Sequence, residues 1–234
     1  MQPEIPAQRT EAFRQALEVL NESGIPYVIG GAFAMHFYSG IWRNTNDLDV
    51  YMEQRYVTKT IETLLRVGFR DLGELAAGDR EWIYHATMNQ VLLDVIWQPP
   101  NRLRPVDVSF HARGREGILF NMPVLFMPPD ELIWAKIFIL NRDRCDWPDI
   151  FHIVRACSEN LDWRHLLHAM GEHWPILLSF IILYDWAYPS QTECIPESLK
   201  RELLERKLHL PAAADFPTRE AVLDPWIYTR PAQT

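Results

Sequence analysis

The chain has 234 residues, 48% of them hydrophobic, with a formal net charge of −8 at pH 7. That length supports a sizeable core in one domain or two small ones. The acidic balance, with a pI near 5.5, argues against a dedicated nucleic-acid binder, because phosphate backbones demand basic surface. Cys145, Cys157 and Cys194 are odd in number and lack metal-type spacing. A disulfide framework is therefore not expected, and a reducing cytoplasm is the simplest home. The first residues show neither the basic nor the apolar region of a secretory signal. The longest apolar run, Ile176 to Tyr184, falls far short of the ~20 residues of a bilayer span. No membrane association is expected.

In chain order, a helix is predicted from about Thr10 to Glu22. Phe13, Ala16, Leu17 and Leu20 share one face, and Gly24 is the terminator. Tyr27-Val28-Ile29 follows Gly24 and Pro26 and reads as a short buried strand. Gly30-Gly31 lets the backbone turn sharply and approach a ligand, since no Cβ intervenes. Ala32 to Tyr38 then forms a short helix stopped by Gly40. A strand, a glycine turn and a helix N-terminus together favour bound phosphate, through free N–H groups and the helix dipole.

Asp47-Leu48-Asp49-Val50 reads as the next strand. Alternation puts Asp47 and Asp49 on one face and Leu48 and Val50 on the other. Two carboxylates so placed repel unless a cation lies between them. Hard oxygen ligands select Mg²⁺, Mn²⁺ or Ca²⁺. Arg55 to Val67 is predicted helical, with Ile61, Leu64 and Leu65 as its apolar side and Gly68 as the stop. Trp82–Thr87 and Gln90–Trp97 pair as strands around Asn89. Asp94 sits in the middle of the second, where an unpaired carboxylate is costly to bury. Beside Asp47 and Asp49 it completes a three-carboxylate cluster able to hold metal.

Gly30-Gly31, then Arg43-x-Thr45-x-Asp47-Leu48-Asp49, then the lone Asp94 resembles the nucleotidyltransferase superfamily that includes DNA polymerase β. Within it the string is similar to antibiotic nucleotidyltransferases and to nucleotidyltransferase-like toxins. The match covers residues 27–97. The resemblance implies an α+β fold, a mixed β-sheet core with flanking helices followed by a helical C-terminal subdomain. It implies Mg²⁺ or Mn²⁺ held by Asp47, Asp49 and Asp94, with Asp94 as metal ligand, base or both. Gly30, Gly31 and Arg43 would meet the triphosphate of a nucleoside triphosphate co-substrate, with ATP the expected one. A nucleoside monophosphate would pass to a hydroxyl acceptor, a small molecule such as an antibiotic. Cationic antibiotics suit an acidic surface. The toxin-type alternative modifies tRNA or protein, with an antitoxin as partner; a homodimer and a catalytically silent nucleotide-binding domain are further readings. Asp-x-Asp also occurs in sugar-nucleotide transferases, but there it lies well downstream of several strand–helix units.

Arg102, Arg104, Arg113 and Arg115 read as a solvated charged loop rather than a basic patch. Val106 to Met127 reads as short strands and loops. Pro128-Pro129 marks the boundary of a core over 1–127 from a helical subdomain over 128–211, with an extended tail over 212–234. Beyond it, helices are predicted from Asp130 to about Asn141, Pro148 to Ser158, Asp162 to Gly171 and Trp174 to Ala187. Lys136, Arg142, Asp146 and Asp149 resemble a Lys–Arg–Asp–Asp pattern that follows the catalytic domain in these families. That analogy lets Lys136 reach the triphosphate; the alternative is a surface lysine, with Arg142, Asp146 and Asp149 forming an ion-pair network. His165, His168 and His173 lack the further ligands a zinc site needs. Most tryptophans of the helical half are expected in the core.

Overall fold

The structure is a computed structural model and describes residues 5–73, 80–141 and 144–209. The chain divides into two compact units, Met1–Ala135 and Lys136–Thr234. Arg142 and the predicted tail over 212–234 lie outside the described residues.

The first unit is built on a mixed sheet of seven strands among the described residues. Helix α1 (Ala7–Ser23) buries Ala12, Phe13, Ala16, Leu17 and Leu20 and ends at Gly24, whose φ of 65° is the left-handed stop that glycine allows. Strand β1 (Val28–Ile29) leads through Gly30 into α2 (Gly31–Ser39). Strand β2 (Asp47–Tyr51) follows, then α3 (Val57–Arg66). Here the apolar side differs from expectation. Val57, Thr60 and Leu64 are buried, whereas Leu65 is 46% exposed. Two overlapping stripes share Leu64, and the one opened by Val57 is the one packed inward.

Strands β3 (Arg70–Asp71), β4 (Ile83–Met88) and β5 (Val91–Ile96) come next. Asn89 and Gln90 join β4 to β5 with φ of 51° and 66°. Two successive positive φ values match the twist of the flanking strands. A short helix, α4 (Val108–Ala112), precedes β6 (Arg115–Leu119) and β7 (Met122–Phe126). The sequence reading has no helix here. Its start is fixed by Asp107, whose side chain accepts from the Ser109 N–H at 2.8 Å.

The strand order is β3-β4-β5-β2-β1-β7-β6. β2 and β5 run parallel, β1 pairs antiparallel with β2 and parallel with β7, and β4 pairs antiparallel with β5. Ile29 pairs with both Val50 and Phe126, so the three share one face. Helix α2 covers that face, with Phe37 stacked on Phe126 at 4.0 Å between ring centroids. Leu48, Leu93 and Val95 lie in the same layer and are fully buried. The alternate residues, Asp47, Asp49 and Asp94, therefore point to the opposite face.

Helix α5 (Pro129–Ile137) carries Asp130 and Glu131 in its first turn, both buried. Arg113 donates to Asp130 at 2.6 Å, and Arg104 pairs with Glu131. The Arg104 guanidinium also lies over the Trp134 ring at 4.7 Å. The solvated-loop reading of these arginines is thus corrected for Arg104 and Arg113. Two acids buried at a helix N-terminus need cations to offset their lost hydration.

The second unit contains α6 (Trp147–Cys157), α7 (Trp163–Met170), α8 (Trp174–Ala187) and α9 (Glu197–Leu208). The sequence reading has no helix at α9, where Leu199 and Leu203 are buried and most of the remaining residues are charged. Trp147, Trp163 and Trp174 are buried as expected, but Trp186 is 79% exposed. Within the 25-residue run Trp163–Ala187 an 18-residue window reaches a mean hydropathy of 1.4, long and apolar enough to cross a membrane by length and composition. This exceeds the single apolar run seen in the sequence. The backbone breaks within it at Gly171 (φ 50°, ψ −124°), and α8 buries Leu177, Phe180, Ile181 and Tyr184.

Candidate active site

The strand register assembles three carboxylates. Asp49 on β2 lies directly opposite Asp94 on β5, and Asp47 lies two residues along on the same face. Ligand oxygens of Asp47, Asp49 and Asp94 all fall within 4.8 Å of one another. Asp94 is buried, and Asp47 and Asp49 are half-buried. At that spacing each ionised pair repels by at least about 3.5 kcal/mol for an effective dielectric constant of ~20. The sheet keeps them together regardless, because β2 and β5 are paired over five consecutive residues and their other faces are core.

Two further side chains hold this cluster. The Thr45 hydroxyl donates to Asp47 Oδ1. His85, directly opposite Asp94 on β4, places Nδ1 2.7 Å from Asp94 Oδ1. His85 is absent from the sequence reading. Finding it needed the β4–β5 register that places it opposite Asp94.

The glycine turn is fitted to the cluster. Gly30 N–H donates to the Asp49 carbonyl at 2.9 Å, which pins the turn to β2. Gly31 has φ of +53°, and a Cβ there would sit 1.6 Å from Asp49 Oδ2. A Cβ on Gly30 would sit 2.3 Å from the Tyr51 ring. Both positions thus need bare backbone, Gly31 because the Asp49 carboxylate occupies the space a side chain would take. The first-turn amides of α2 have no intrahelical partner by construction and are oriented along its axis. The turn sits immediately beside Asp49, so a helix N-terminus able to accept phosphate adjoins the carboxylate cluster. Arg43 lies on the exposed loop entering β2.

Lys136 is buried rather than on the surface. It is 4% exposed, and its ammonium donates to Asp146 at 2.5 Å and Asp149 at 3.0 Å, within the helical unit. The surface-lysine alternative is overturned. Arg144 adds bonds to both oxygens of Asp146. Burial raises the Asp146 carboxyl, but the Arg144 hydrogen bond and the Lys136 charge outweigh it and leave it below the ordinary carboxylate value.

The donor set fits a hard divalent cation: three carboxylates from two adjacent strands, with no sulfur or imidazole among them.

No protein-family model and no curated protein matches the sequence. Among solved structures, the chain is similar to the antibiotic-resistance factor ANT(2'')-Ia, at 17% identity and a TM-score of 0.47, over 88% of this chain and 99% of that one. It is also similar to the lincosamide antibiotic adenylyltransferase LnuA, at 12% identity and a TM-score of 0.45, over 61% of this chain and 94% of that one. JHP933 from Helicobacter pylori matches at 12% identity and a TM-score of 0.43, over 89% and 91% of the two chains. With every one of these scores below 0.5, the chemistry of the site rests on its own geometry.

Proposed function

We propose that the chain is a divalent-metal-dependent nucleotidyltransferase that moves a nucleoside monophosphate from a nucleoside triphosphate to a hydroxyl acceptor. The observation that carries this reading is the meeting of three carboxylates within 4.8 Å of one another, beside a turn whose Gly31 leaves no room for a Cβ.

Asp47 and Asp49 hold the cation, and Gly30, Gly31 and the first turn of α2 receive the triphosphate. Arg43 flanks that cradle. The bound cation, Mg²⁺ or Mn²⁺, would neutralise charge on the reacting phosphate. The acceptor oxygen bonds to the α-phosphorus while the bond from that phosphorus to the bridging oxygen breaks. Pyrophosphate leaves with the electron pair, and the hydroxyl proton passes to Asp94 or, where Asp94 is a metal ligand, to solvent. Positioning and charge neutralisation supply the rate. We read Lys136 as a structural cation rather than a triphosphate ligand, because two carboxylates already engage its ammonium.

A formal charge of −8 favours a small cationic hydroxylated acceptor over a polyanion. The test is a mass-spectrometric screen for nucleotide adducts on hydroxylated antibiotics, tRNA and protein, using all four nucleoside triphosphates with Mg²⁺. Metal-dependent adducts lost in Asp47→Ala and Asp49→Ala support the reading. Adducts retained in those variants overturn it.

A further inference from the structure

His85 has no place in the reaction as described, yet it is bonded to one of its three carboxylates. It lies directly across from Asp94, half-buried, with Nδ1 2.7 Å from Asp94 Oδ1. An ionised carboxylate only accepts, so the imidazole donates through Nδ1–H. We propose that His85 is a positioning residue that orients the Asp94 carboxylate for the divalent cation, an inference that rests on the nucleotidyltransferase reading of the site.

Sheet order carries the argument. From the glycine turn outward the strands run β1, β2, β5, β4. Asp94 on β5 therefore has the Asp47–Asp49 pair on one side and His85 on the other. The terminal torsion of an aspartate is broad and roughly two-fold, so an unheld carboxylate samples a wide arc. The hydrogen bond fixes Oδ1 on the β4 side and leaves Oδ2 for the cluster. His85 is itself a rigid support, because β4 is paired with β5 over six consecutive residues. The donated hydrogen also offsets part of the repulsion among three carboxylates, without taking up space between them. Partners that orient a metal ligand in this way set its affinity for the ion.

The arrangement also divides the site. The triphosphate cradle lies beyond β2, on the side of Asp49 away from His85. In-line attack places the incoming hydroxyl opposite the departing pyrophosphate. A defect at His85 should then fall on the metal and on the chemical step, and leave nucleotide binding little changed.

The test uses the full chain and Mn²⁺ as probe. His85→Leu and His85→Phe remove the donor, the second keeping a ring in place, so a folding defect in one does not silence the experiment. His85→Asn restores a donor near the position of Nδ1. Calorimetric titration should show Mn²⁺ affinity about tenfold weaker in both apolar variants and largely recovered in His85→Asn. Melting temperatures without metal should fall by a few degrees at most, because the lost donor leaves part of the carboxylate repulsion uncompensated. If adduct formation is observed, kcat should fall and KM for nucleotide should hold. Wild-type Mn²⁺ affinity in the apolar variants, or affinity in His85→Asn as weak as theirs, overturns the proposal. Wild-type protein that binds Mn²⁺ no better than Asp49→Ala overturns the metal reading itself, and this inference with it.

Discussion

Replacing Gly31 with alanine tests whether the turn and the carboxylate cluster are one device. The substitution adds two separable costs. The first is backbone strain: φ is +53°, and a Cβ in the left-handed region costs about 1–2 kcal/mol. The second is steric. The new Cβ would lie 1.6 Å from Asp49 Oδ2, where real Cβ atoms keep at least 3.0 Å, and 2.6 Å from Asp49 Cγ. The carboxylate must swing out of the cluster by more than an ångström. Displacement of that size costs on the order of 10²-fold in rate. Gly40→Ala is the matched control, since Gly40 has φ of +69° and nothing within 4 Å of its Cβ position. It carries the strain without the clash. The assays are Mn²⁺ affinity by calorimetry, pyrophosphate release in the presence of acceptor, and thermal melting. Gly31→Ala should lose metal affinity and roughly 10²-fold in rate, whereas Gly40→Ala should lose only about 2–8 °C in melting temperature. Wild-type metal affinity in Gly31→Ala, or equal losses in both variants, would refute the reasoning.

Three further outcomes are expected. Thr45→Val removes the hydroxyl that donates to Asp47, and should weaken Mn²⁺ binding about tenfold in a calorimetric titration while leaving urea unfolding nearly unchanged. Lys136→Met leaves Asp146 and Asp149 without their shared ammonium, and should destabilise the protein by about 3 kcal/mol in urea denaturation; a change under about 1 kcal/mol contradicts the buried-pair account. Because the Asp146 carboxyl is held below its ordinary value, its stabilising contribution is complete above about pH 4 and fades as pH falls through the lowered folded value. Urea midpoints measured from pH 6 to pH 2 should therefore fall less steeply below about pH 4 in Asp146→Asn than in wild type.

The carboxylate site was legible because its parts are periodic. Asp47 and Asp49 follow strand alternation, and Asp94 interrupts an apolar strand, so both stand out against a pattern. The pairing of β2 with β5 that brings Asp49 opposite Asp94 is non-local, and the sequence offers only the condition that they be neighbours. His85 depends on a second non-local register, β4 against β5, and a lone histidine in a strand has no periodic signature of its own. Helix α9 was missed although Leu199, Leu203, Leu204 and Leu208 recur at helical spacing; only Leu199 and Leu203 of these are buried, the rest of the helix being mostly charged. Lys136 shows a third limit. Its helix was predicted, but its burial depends on Asp146 and Asp149, brought close by the turn that follows α5. The same holds for Arg104 and Arg113, whose partners Glu131 and Asp130 lie 27 and 17 residues away in sequence.

The central claim is that Asp47, Asp49 and Asp94 together hold a divalent cation beside the Gly30-Gly31 turn. A crystal grown with Mn²⁺ and a non-hydrolysable nucleoside triphosphate, with anomalous diffraction at the manganese edge, tests it most directly. The account predicts a manganese peak within about 2.0–2.6 Å of carboxylate oxygens from these residues, the hard-cation ligand range, with the triphosphate against Gly30 and Gly31. Triphosphate bound elsewhere, or manganese absent from the cluster while the nucleotide is present, would contradict it.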